Sequence, residues 1–170
     1  MLSQQERREL VEKLESQRET LLKQIAELPV ERRPRRWKDG DRTPMGMLRH
    51  VITAERMYRD DWARKARDED EPDLKRQTQN SGQDILFEEA NQLSREDLLE
   101  RVKEERIQTL RFIAETSDAE FDRKGRNTPF GDLTVHQFMK SLYRHDQMHI
   151  DEIAGTPSKY VITTQDGRRL

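Results

Sequence analysis

The chain has 170 residues and a mass of 20.3 kDa, the size of one ordinary domain. Charged residues make up 39% and hydrophobic residues 32%, yet the net charge is only −2, so both signs are interspersed as on solvated helices and the large imbalance of a disordered chain is missing. No run approaches the roughly 18 apolar residues of a membrane span, balanced charge argues against a nucleic-acid binder, and zero cysteines exclude disulfides, thiolate metal sites and a cysteine nucleophile.

The opening MLSQQERREL lacks the apolar core of a secretion signal, so a cytoplasmic location is expected. Ser3 and Glu6 fit a capping box that starts a first helix. Leu10, Leu14, Leu21, Ile25 and Leu28 then recur at threes, fours and one seven, which gives a single apolar stripe. Pro29 ends it. The loop that follows is polar and basic, with Arg32, Arg33, Arg35 and Arg36 offset by Asp39 and Asp41, and reads as a solvated connection. Within it, Trp37 suits a pocket mouth or a core anchor equally well. Thr43 caps a second helix with Pro44 in its first position, where the missing amide costs nothing; the pattern runs to Ala66. The acidic DEDEPD stretch breaks it. A long connection over 68–93, with a short helix expected over Ile85–Leu93, suits a crossover better than a tight hairpin.

A third helix follows Ser94, with Asp97 completing a cap and Leu98, Val102, Leu110 and Ile113 as its buried stripe, Ile107 beside it. A fourth follows Thr134, capped with Gln137. Phe138, Leu142, His145, His149 and Glu152 or Ile153 continue its inner face. Gly155 supplies a left-handed end and Pro157 blocks continuation. The reading is all-α: a four-helix bundle with long connections over residues 1–157, a tail over 158–170, and no sheet. Val11 and Leu22 lie beside the first stripe, and burying them against a twin would remove apolar area from water, which suggests a homodimer.

Four histidines stand out. His145 and His149 lie one turn apart, about 40° round the helix, a spacing at which two imidazoles converge on one cation. Phe138 and Leu142 share that face, so both rings point inward, where a polar group needs partners. His50 lies on the second helix among Met47, Ala54 and Met57, also on an apolar stripe. Three inward imidazoles from two helices make a tridentate nitrogen site in a bundle core. His136 is about 180° from His145 and reads as a surface residue or weak cap contact. Ordinary semi-buried histidines satisfied by carboxylates and water are the competing reading. Ser141, one turn before His145, is the one inward hydroxyl expected near the site, and nothing forms a serine triad.

Three stretches carry a resemblance. TPMGMLRHVITAE, Thr43 to Glu55, resembles the second-helix signature of the DinB/YfiT-like metalloenzyme family. TPFGDLTVHQFMKSLYRHDQMHIDEI, Thr128 to Ile153, resembles its fourth-helix signature, and FEEANQLSREDLL, Phe87 to Leu99, is similar to its lead into the third helix. The resemblance runs to about Pro157. It implies a four-helix bundle, often dimeric, that binds a divalent cation such as zinc or nickel through His50, His145 and His149. Characterised members of that family include transferases and isomerases that work with low-molecular-weight thiols, and many others have no known activity.

Three carboxylates accompany the histidines. Glu152 lies about 20° from the direction of His145 and is placed to orient a ligand or accept a proton from bound water. Asp146 and Glu55 match positions often acidic in the family. They point about 100° from His145 and about 140° from His50, which favours salt bridges over ligation. Three neutral nitrogens leave a coordination position open, as in catalytic zinc sites; nitrogen ligation also accepts nickel, iron(II) or cobalt. The leading expectation is a metal-dependent enzyme of transferase or hydrolase type, acting on a small molecule such as a thiol, with no nucleic-acid or membrane partner. A non-catalytic, metal-stabilised bundle serving as a stress-related or interaction protein is the alternative, and a metal-free bundle the third.

Overall fold

The computed structural model describes residues 2–29, 43–75 and 92–160. Helix α1 spans Gln4–Glu27 and opens with the expected capping box, the Ser3 hydroxyl accepting from the Glu6 amide and the Glu6 carboxylate accepting from the Ser3 amide. Leu10, Leu14, Leu21 and Ile25 form its buried face, with Leu28 buried just past its end. Helix α2 spans Pro44–Arg56, and the Thr43 hydroxyl accepts from the Gly46 amide at its start. It runs on through a π-helical stretch, Met57–Arg64, into a last α-helical turn, Lys65–Asp68, two residues beyond the expected end at Ala66. Helices α3, Arg95–Glu115, and α4, Val135–Ala154, carry the expected boxes Ser94/Asp97 and Thr134/Gln137. Gly155, at φ 71°, ends α4 in the left-handed conformation that a side chain would strain.

The expectation of no sheet is corrected. Lys124–Thr128 (β1) and Gly131–Thr134 (β2) form an antiparallel hairpin with an irregular register between Gly125 and Thr128. KGRNT and GDLT lack the alternation of apolar residues that marks a strand. The hairpin is instead held by its turn: Asn127 and Gly131 take positive φ, and the Thr128 hydroxyl donates to the Gly131 carbonyl. Residues 72–74 lie alongside β1, with the Leu74 amide donating to the Arg126 carbonyl and the Arg126 amide to the Pro72 carbonyl. Leu74 is thereby buried beneath Gly125.

α1 packs chiefly on α4, and α2 chiefly on α3. The core divides into two apolar clusters. One gathers Leu10, Leu14, Tyr58, Trp62, Phe112 and Phe138 among others; the second gathers Leu21, Ile25, Leu48, Val51, Val102 and Ile150. Each helix also carries a buried charge near where the two clusters meet: Arg18, Glu55, Arg106 and Asp146. Val11 and Leu22, the residues that suggested a twin, are half-buried against these clusters within the chain. Ile107 departs from expectation: it is 55% exposed, because Glu105, Arg106 and Thr109 take the inner positions of α3. Leu93 precedes the α3 cap as a non-helical residue, while 85–91 of the expected short helix, the arginine-rich loop with Trp37, and the tail beyond Tyr160 lie outside the described residues.

Candidate metal centre

His50 comes from the second turn of α2, and His145 and His149 from successive turns of α4. The phase of α4 is fixed by Val135, Phe138, Met139 and Leu142, all buried, so the two later histidines follow them inward. They are 8% and 5% exposed. His50 is half-buried at the rim. The three rings meet edge and face, with centroids 4.5 to 5.1 Å apart. His145 Nε2 lies 2.8 Å from His50 Nε2 and 3.2 Å from His149 Nε2. One ring nitrogen of each residue lies within 4.8 Å of the other two.

Glu152 sets the tautomer. Its Oε2 lies 3.1 Å from His149 Nδ1, and a carboxylate only accepts, so Nδ1 carries the proton and Nε2 presents a lone pair. That lone pair faces His145 Nε2, which His50 Nε2 faces as well. One proton on His145 Nε2 can serve only one of its two neighbours. Protonating a second ring would satisfy the geometry but would bury a charge. Burial drives the His50 pKa down to about 3, with His149 adding to the fall. It also pulls His145 well below the usual imidazole range, helped by His149, His50 and Arg18. Neutral rings with converging lone pairs are the donor set that a divalent cation takes. Tetrahedral zinc, with Zn–N of about 2.0–2.1 Å, spaces its nitrogens roughly 3.3 Å apart, close to the 2.8 and 3.2 Å from His145 to its two neighbours. The residues fit the group that the fold implies.

The neighbouring carboxylates divide as the helical phase requires. Asp146 and Glu55 are fully buried and bind arginines instead of joining the imidazoles. Arg18 donates from Nε and Nη2 to the two oxygens of Asp146, both at 3.0 Å, and from Nη2 to Glu55 at 2.7 Å. Arg106 Nη2 donates to Glu55 at 3.1 Å and Asp146 at 3.0 Å, while its Nη1 donates to the Leu14 carbonyl at 2.6 Å. Burial pushes the Glu55 carboxyl up, but Arg106 and Arg18 outweigh it and hold it at about 2. Neither arginine was evident from the sequence. Each sits one turn after a buried apolar residue, Leu14 or Val102, which is the signal that could have found them.

His136 stays apart from the three. It lies edge-on to Phe121, with centroids 6.3 Å apart, and lines a cleft of about 140 Å³ between α1 and α4 with Glu6, Glu9, Lys13 and Lys140. Ser141 does not reach inward, since its hydroxyl donates to the Gln137 carbonyl of its own helix.

The sequence profile of the DinB superfamily matches residues 13–153, a span that takes in all three histidines, the whole of α2 and α3, and most of α1 and α4. The chain belongs to the DinB superfamily. No curated protein and no solved structure matches this DinB-superfamily chain significantly. Among its described residues, no helix is long and apolar enough to cross a membrane.

Proposed function

We propose that this DinB-superfamily chain is a metal-dependent enzyme whose His50, His145 and His149 hold one divalent cation, zinc or nickel. The observation that carries the reading is the convergence of three Nε2 atoms at 2.8 and 3.2 Å from two helices, in a setting that keeps His50 and His145 neutral. Among the described residues the candidate group contains three ligand residues, whereas structural zinc takes four. A bound cation of this kind activates water as hydroxide or binds a thiolate, which is transferase or hydrolase chemistry on a small molecule. Glu152 fixes His149 in its donor tautomer.

A non-catalytic reading draws on a different observation. α2 itself makes few close contacts with α4 while its π-helical continuation packs closely on it, so a cation bridging His50 to His145 would staple the N-terminal part of that helix to α4. Elemental analysis of untagged protein tests both readings, with about one metal per chain expected. Less than about 0.2 per chain after reconstitution rejects a stabilising or catalytic cation. His145→Ala should remove the metal, while His136→Ala should retain it. Turnover of thiol or hydrolysable substrates that disappears on chelation selects the enzyme over the staple. The proposal includes a homodimer, and light scattering that finds only a 20.3 kDa species rejects that part.

A further inference from the structure

The buried ionic layer beside the histidines takes one residue from each helix: Arg18 from α1, Glu55 from α2, Arg106 from α3 and Asp146 from α4. Its side chains are at most 6% exposed, and the two positive and two negative charges balance. Buried ion pairs of this kind are weak contributors to net stability, because desolvation offsets their attraction. This one is also incompletely satisfied: Arg18 Nη1 and Arg106 Nε reach no acceptor among the described residues. Its geometry is nonetheless demanding. Arg18 grips both oxygens of Asp146, and Arg106 Nη2 is shared between Glu55 and Asp146. Sliding α4 by one turn, about 5.4 Å, would break every one of the bonds to Asp146.

Asp146 is the residue after His145, and Glu55 follows His50 by five on the same helix. The layer therefore fixes α2 and α4 relative to each other just where their histidines must meet within 2.8 Å. We propose that Arg18 and Arg106, with Glu55 and Asp146, form a four-helix clamp whose role is to position His50 against His145, making the two arginines positioning residues of the metal centre. The inference rests on the metal reading above. It predicts a division of labour: apolar clusters supply stability, and the ionic layer supplies alignment. Outer groups that orient metal ligands typically change affinity by about 10- to 100-fold when removed.

The test compares cobalt(II) or zinc affinity, measured by competition with a chromophoric chelator, with thermal melting of the full chain. Asp146→Asn, which keeps shape, and Arg18→Met should weaken binding by about tenfold or more, and Arg18→Lys should recover part of the loss. Arg59→Met is the control. Arg59 is also buried and pairs with Glu105 between the π-helical stretch and α3, at 2.8 Å, so it reports the general effect of breaking a buried pair. It should lower the melting temperature and leave affinity within about twofold. Clamp variants that stay folded and bind as tightly as wild type overturn the proposal, as does an Arg59→Met loss of equal size. Should wild type take up no metal, the functional reading falls, and the same variants are compared by imidazole ¹H–¹⁵N spectra of the metal-free protein. His50 and His145 signals that move in Asp146→Asn but not in Arg59→Met uphold the clamp; signals that stay in place overturn it.

Discussion

Glu152 is the residue on which the state of the three imidazoles turns, since its contact with His149 Nδ1 at 3.1 Å decides where that ring keeps its proton. Glu152→Ala frees the ring to rotate and to exchange tautomers. It should lower zinc affinity by about tenfold, while the metal-free melting point stays near that of wild type, because the Glu152 contact with His149 lies within α4. Chelator competition beside calorimetry reads both quantities; an unchanged affinity would show that Glu152 does not orient the ligand. The histidines themselves were legible in the sequence because helical phase alone separates His145 and His149 from His136, and the structure keeps that separation. Arg18 was not. In the first helix the apolar stripe steps from Leu14 to Leu21 by seven, and the position between them reads as a gap until a neighbouring helix supplies carboxylates. Glu55 and Asp146 could be assigned to salt bridges from their angles, but their partners come from other helices, at sequence separations that no local pattern reports.

Among the elements, the helices were readable from caps and the hairpin was not. Ser3, Ser94 and Thr134 each precede a helix and bond to a residue three positions on, a signal contained within four residues. The hairpin depends on contacts made after folding: its strands carry few apolar side chains, and its place is set by Leu74 and the 72–74 segment beside it. The π-helical stretch is equally hidden, since Met57–Arg64 continues the α2 pattern of side chains while changing the backbone bonds beneath it. Gly125 marks where the hairpin closes on the bundle. A Cβ there would lie 2.2 Å from Leu74 Cδ1 and 3.5 Å from Ala66 Cβ. Leu74 is fully buried and has little room to give, so Gly125→Ala should destabilise by about 1–3 kcal/mol through overpacking. Because the hairpin leads directly into the Thr134 cap of α4, the loss should appear in urea melts at unchanged slope. Gly125→Ala together with Leu74→Ala should recover part of it; no recovery would place the strain elsewhere.

At the scale of the whole molecule, His50, His145 and Glu55 are each held in one charge state near where the two apolar clusters meet, and these groups set the response to acid. His50, with a pKa of about 3, and His145, well below the ordinary value, both stay neutral when folded, against about 6.5 when unfolded. A folded pKa below the unfolded one means that the unfolded chain takes up protons first as pH falls. The stability tied to neutral imidazoles is therefore complete above about pH 6.5 and is lost progressively below it. Each such group contributes a slope of about 1.4 kcal/mol per pH unit within its window, with the share of half-buried His50 softened by solvent. Glu55, held at about 2, works in a lower window: its stabilisation is complete above about pH 4.5 and is lost as pH falls toward 2. Domain stabilities run to only about 5–15 kcal/mol, so the histidine window should dominate acid unfolding of the metal-free chain. Urea melts of chelator-treated protein between pH 7.5 and pH 4.5 should show a steep fall starting near pH 6.5. In a His50→Gln, His145→Gln variant the same curve should stay nearly flat to about pH 4.5 and fall below it, in the Glu55 window. Saturating zinc should raise the wild-type plateau above pH 6.5 and steepen its decline, since cation and protons compete for the same lone pairs. A wild-type curve as flat as that of the double variant would mean that these imidazoles are not held neutral by burial, and the lone-pair argument for the metal centre would lose its electrostatic support.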